Sequence, residues 1–100
     1  MQTPIGIPWY RREVYPELRK LFVDGDRLPG DYDQWLDLAT QGFAQIQAQG
    51  GLPLKVYLDP RHFRFWCQEH RLKPDFRARQ QFVMAIAQGH AMSAPTMAML

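Results

Sequence analysis

Leu54-Lys55-Val56-Tyr57-Leu58, followed by Asp59-Pro60, decides how this chain folds. Apolar and polar residues alternate through it, so Leu54, Val56 and Leu58 share one face of a β-strand and Lys55 and Tyr57 share the other. Pro53 in front of it argues against a central place in a sheet. No other segment reads clearly as a strand. A lone strand needs a partner, because an unpaired edge leaves backbone N–H and C=O groups unsatisfied. One expected partner is the same segment of a second copy, giving a homodimer with Leu54, Val56 and Leu58 at its interface. The alternative is residues 3–8 of the same chain, where Ile5 and Ile7 stand between Pro4 and Pro8.

Outward from the strand, the chain reads as helix. Upstream, Tyr32, Trp35, Leu36, Ala39, Phe43 and Ile46 recur at helical spacing, and Gly50-Gly51 stops that helix. Asp31 is placed to cap its start, with Gln34 three residues on as in a capping box. Before it, Leu18, Leu21 and Phe22 mark a short helix from Tyr15 or Pro16, ended by Asp24-Gly25-Asp26 with Gly25 in a left-handed position. Downstream, Asp59 and Pro60 open a third helix to about His70, with Phe63, Trp66, Cys67 and His70 as its buried stripe. Pro74 or Asp75 opens a fourth, to about Ala87, carrying Phe82, Val83 and Ile86. Gly89 is read as its end.

The fold class is therefore mainly α: four helices with one short strand, in a single domain over residues 1–88. Residues 89–100, with three of the five methionines, read as a mobile tail. At 100 residues, with 46% hydrophobic and 22% charged residues, the chain has room for one modest core. No apolar run approaches the ~20 residues needed to span a bilayer. The N-terminus lacks the pattern of a signal peptide, and a single cysteine forms no internal disulfide, so a cytoplasmic setting is expected.

Charge is unevenly distributed. Residues 1–50 hold five Lys/Arg against seven Asp/Glu, whereas residues 51–100 hold seven against three. The acidic stretch 24–37 does not fit a calcium loop. Counted from Asp24, the glycine position holds Pro29 and the bidentate-glutamate position holds Trp35. Cys67 and His70 have helical spacing suited to two metal ligands, but His62 falls on the opposite side, and a structural zinc site needs four ligands. No glycine-rich phosphate loop or nucleophile motif is present. The expectation is a protein with no catalytic, metal or cofactor site.

Two function classes follow. The first is a protein-binding or regulatory module, with Trp9, Tyr10 and Phe65 as exposed aromatic anchors for an unidentified partner, or the acidic 24–37 stretch in that role. The second comes from a resemblance. A strand at 54–58 followed by helix, turn and helix to residue 87 resembles the ribbon-helix-helix family, in which strands of two chains pair and enter the DNA major groove. The resemblance implies a dimeric DNA-binding regulator with Lys55 and Tyr57 facing the bases; the cations Arg61, Arg64, Arg71 and Lys73 are the further DNA-contact candidates. The whole chain is also similar to small bacterial proteins sharing Ile7-Pro8-Trp9-Tyr10, Leu28-Pro29, Tyr32 and Trp35-Leu36, a resemblance that implies no activity.

Overall fold

The computed structural model describes residues 3–98, with side chains described for residues 3–89. The chain is mainly helical around one two-stranded parallel sheet. In order, it forms β1 (Ile5–Trp9), a 3-10 turn at Arg12–Val14, α1 (Tyr15–Leu21), a 3-10 turn at Gly25–Arg27 and α2 (Tyr32–Ala48). Then come β2 (Pro53–Tyr57), α3 (Pro60–Glu69) and α4 (Phe76–Ala98). Each strand is thus followed by a short helix and a long one.

The strand at 54–58 finds its partner inside its own chain. β1 and β2 run parallel, in register from Ile5 opposite Pro53 to Trp9 opposite Tyr57. Parallel strands need a long crossover, and residues 10–52 supply it with two helices. β1 is the segment offered as the alternative partner at residues 3–8, shifted slightly. Its prolines do not prevent pairing. The end bonds, Ile5 N–H to the Leu52 carbonyl and Leu58 N–H to the Trp9 carbonyl, fix the alternation of the ladder. Ile5, Ile7 and Trp9 bond inward to β2, while Pro8 faces the outer edge, where its missing N–H costs nothing.

The sheet lies between α2 and α4. On one face Trp9 meets Trp35 and Phe43 of α2, edge to face, with ring centroids 5.4 and 5.9 Å away. On the other face α4 passes so close to β1 that a Cβ on Gly6 would lie 2.3 Å from the Val83 carbonyl oxygen. Only glycine fits there. Val56 and Leu58 point into the core that includes Phe63 of α3 and Phe82 and Val83 of α4. Tyr10, Tyr15, Phe22 and Trp35 continue it around the carboxyl end of the strands. Trp9 and Tyr10 are thus core residues, not exposed anchors, because the end of β1 is covered by α1 and α2.

Helix ends show which local signals held. Asp59 caps α3, accepting the His62 N–H at 2.9 Å, and Asp75 does the same for Ala78 of α4 at 2.9 Å. Asp31 holds the cap position of α2 but makes no side-chain cap bond. Gly25 is not left-handed. It lies where a Cβ would strike the Arg19 carbonyl, so it serves close backbone approach. His70 is exposed, stacked on Trp66 at 4.1 Å, and does not extend the buried stripe. α4 does not stop at Gly89 but continues to Ala98. Glycine inside a helix costs only ~1 kcal/mol, which the neighbouring turns can offset. Of the residues assigned to a tail, Met99 and Leu100 lie outside the described residues.

Candidate interaction edge

A parallel pair leaves each strand one outer edge. The ladder that turns Leu54 and Val56 toward β1 turns the N–H and C=O of Lys55 and Tyr57 outward. Among the described residues no backbone bond outside the ladder takes up those groups. An edge of this kind is a template for another strand.

Beside it runs a groove of ≈ 320 Å³. Leu54, Lys55, Val56 and Tyr57 form one wall, with His62 of α3 and Phe82 and Ile86 of α4 forming the rest. Phe82 is the fixed element. It is buried and packs edge to face against His62 and Trp66, each with centroids 5.3 Å away. Ile86 is 39% exposed, and Leu52, just before the strand, is 48% exposed. These apolar side chains stand open along a strand edge, where an added strand would cover them.

The opposite face of β2 is partly taken. Lys55 Nζ sits 4.4 Å from the Trp9 ring centroid and 5.4 Å from that of Phe43. The Arg11 guanidinium lies 4.4 Å above the Tyr57 ring. Such cation–π contacts leave the cation largely solvated. Lys55 and Tyr57 therefore flank α2 and the Arg11 turn, instead of projecting from an open ribbon as the ribbon-helix-helix resemblance implies. Of the expected interface residues, Val56 and Leu58 are buried in the chain's own core, and Leu54 is half-buried in the groove wall. Arg61, Arg64, Arg71 and Lys73 are exposed on α3 and the turn after it. Phe65 is 60% exposed on α3.

Two other clefts adjoin the sheet. One, at the carboxyl ends of the strands, is lined by Arg11, Arg12, Glu13, Tyr32 and Tyr57. Within it Arg12 pairs with Asp33 at 2.7 Å, and the Arg11 guanidinium lies over the Tyr57 ring. The other lies along the outer edge of β1 between α2 and α4, over Pro8, Leu38, Phe76 and Arg79. Pro8 offers no N–H to an added strand.

The acidic stretch 24–37 is divided among separate tasks. Asp24 holds Arg79 with two bonds, 2.8 and 3.1 Å, and Asp33 holds Arg12. The hydrogen bond from Arg79 keeps the Asp24 carboxyl below the usual carboxylate range. Burial pushes the Tyr10 phenol up to about 12 and raises the Cys67 thiol, so Cys67 is held away from its reactive thiolate form. Among the described residues no three His, Cys, Asp or Glu side chains gather as a metal site. Nor is any described helix long and apolar enough to cross a membrane.

The apolar wall of Phe82 and Ile86 is visible in the sequence as one face of the fourth helix. His62 as its neighbour is not, since the contact joins two helices. Comparison of the chain with family models, with curated proteins and with solved structures gives no match.

Proposed function

We propose that this protein is a non-catalytic protein-binding module that takes an extended segment of its partner onto the outer edge of β2. The observation that carries the reading is the coincidence of two features: outward backbone groups at Lys55 and Tyr57, and an apolar groove alongside them. Strand addition uses both, main-chain bonds for affinity and alternate side-chain pockets for choice of partner.

The two faces prescribe the partner's chemistry. Side chains of the added strand on one face enter the groove between Ile86, Phe82 and His62, and must be apolar. Those on the other face lie beside Lys55, and acidic residues suit that position. The expected ligand is a short extended segment alternating apolar and acidic residues. A second copy of the chain is the competing occupant. Antiparallel pairing about Val56 would satisfy the same backbone groups and give the homodimer, but it places two Lys55 ammonium groups on one face.

The test is titration of a fluorescent peptide of alternating valine and glutamate into the protein and two variants. Tyr57→Pro removes an outward N–H without touching the ladder to β1, and Ile86→Asp places a charge in the groove. Both should abolish binding while leaving the fold intact by circular dichroism. Peptide binding unaffected by either variant would refute strand addition. Sedimentation equilibrium separates the occupants: a concentration-dependent dimer lost in Tyr57→Pro assigns the edge to a second copy.

A further inference from the structure

Two helices of this chain end in the same way, with one difference. At the end of α2 the Gly50 N–H bonds to the Gln47 carbonyl and the Gly51 N–H to the Ile46 carbonyl, with Gly50 at φ 86°. At the end of α3 the Arg71 N–H bonds to the Gln68 carbonyl and the Leu72 N–H to the Cys67 carbonyl, with Arg71 at φ 55°. Both are Schellman endings, which place one residue in the left-handed region and strongly favour glycine there. The first has glycine. The second holds an arginine, at a conformational cost from its Cβ. Arg71 is the one non-glycine residue with positive φ among the described residues. Its side chain is exposed and pairs with no described carboxylate, so no ion pair among the described residues accounts for an arginine at this place.

Its neighbours give the reason. Arg61, Arg64 and Gln68 lie at i, i+3 and i+7 on α3, one face of the helix, and Arg71 continues that line past its end. Lys73 follows in the same turn. All five are exposed. Among the described residues only Arg12 and Arg79 form ion pairs, so the four cations here are unpaired. The nearby carboxylates of Asp59 and Asp75 are engaged by backbone N–H groups at the starts of α3 and α4. Glu69 lies off the stripe, about 100° around the helix from Gln68.

We propose that this outer face of α3, carrying Arg61, Arg64, Gln68, Arg71 and Lys73, binds the phosphodiester backbone of a nucleic acid. From Arg61 to Arg71 the stripe is about 15 Å long. At about 3.4 Å of axial rise per phosphate on one strand, that spans roughly four phosphates. Phosphate contacts set affinity and orientation without reading sequence. The surface is separate from the β2 groove, so it stands or falls apart from the peptide-binding reading.

The experiment measures fluorescence anisotropy of a single-stranded RNA oligomer, a DNA oligomer of the same sequence and its duplex, titrated with the full chain across a series of salt concentrations. Four cations predict a slope of log K against log salt of about −3 on a single strand and about −3.6 on the DNA duplex. Arg71→Gly should reduce that slope by about one, and the exposed pair Arg61→Ala/Arg64→Ala by about two. Arg71→Gly should at the same time melt higher, by about 4–8 °C, because the strain is relieved. Preference for the duplex or for either single strand identifies which nucleic acid is bound. Absence of binding at low salt overturns the proposal, as does binding whose salt slope ignores these variants. Binding to phosphatidylserine vesicles but to none of the three oligomers overturns it also. A Tm of Arg71→Gly no higher than wild type would remove the strain on which Arg71 was singled out.

Discussion

Asp24→Asn probes the tie between the first and second halves of the chain. Asp24 and Arg79 are 55 residues apart and joined by two short bonds, with their side chains 23% and 5% exposed. Arg79 also stacks 4.3 Å from the Phe22 ring centroid, so the guanidinium is enclosed by carboxylate and aromatic together. The substitution leaves that buried cation without a counter-charge. Breaking a buried pair costs roughly 3–5 kcal/mol, and the partial exposure of Asp24 puts the expected loss at the lower end, about 3 kcal/mol. Against a total stability of roughly 5–15 kcal/mol this is a large fraction. With a urea m-value of about 1.5 kcal/mol/M, the midpoint followed by tryptophan fluorescence should fall by about 2 M. The double variant Asp24→Asn/Arg79→Met should recover most of it, since no charge is then buried. The pH dependence has a definite sign. Arg79 depresses the folded carboxyl's pKa, so the pair's stabilisation is present above the ordinary carboxylate value of ~3.9 and fades as pH falls through the lower folded value. Asp24→Asn should lose that acid-side dependence. A midpoint shift under about 0.5 M, or an unchanged acid limb, would refute the account of Arg79 as a buried cation dependent on Asp24.

Gly6→Ala should destabilise by about 1–3 kcal/mol or prevent folding, because its methyl meets the Val83 backbone rather than a side chain that can turn aside; chemical denaturation measures it. Tyr10 should ionise near pH 12 in an ultraviolet difference titration. Burial holds it neutral, so its contribution to stability is complete below the unfolded value of ~10 and is lost as pH rises toward 12.

Local chemistry made some of this fold readable. Asp59-Pro60 announced α3 because the cap and the following proline act on adjacent backbone groups, and Gly50-Gly51 announced the end of α2 for the same reason. The alternation at 54–58 announced β2. Residues 3–8 were legible as one of two candidate partners, but the choice between them and the parallel pairing were not, because these depend on which edge each residue turns outward. Pro8 obscures β1 in the sequence, yet it sits where no N–H is needed. Trp9 and Tyr10 looked like anchors because their cover comes from Trp35 and Phe43, many residues away. Gly89 misled because glycine permits a helix end without requiring one. Arg71 concealed a left-handed ending that glycine would have advertised. Of the interaction edge, Lys55 and Tyr57 were legible as a strand face, whereas their outward backbone groups and the His62–Phe82 wall needed the pairing with β1 and the packing of α3 on α4.

Amide hydrogen exchange along β2, measured residue by residue with and without the valine–glutamate peptide, tests the central claim most directly. In the isolated chain at low concentration, Leu54, Val56 and Leu58 should exchange slowly, because β1 holds their N–H groups, while Lys55 and Tyr57 exchange fast. Saturation with the peptide should slow Lys55 and Tyr57 and leave the other three unchanged. If Lys55 and Tyr57 remain fast at saturating peptide, and stay fast as protein concentration is raised, no strand adds to this edge and the proposed function is wrong.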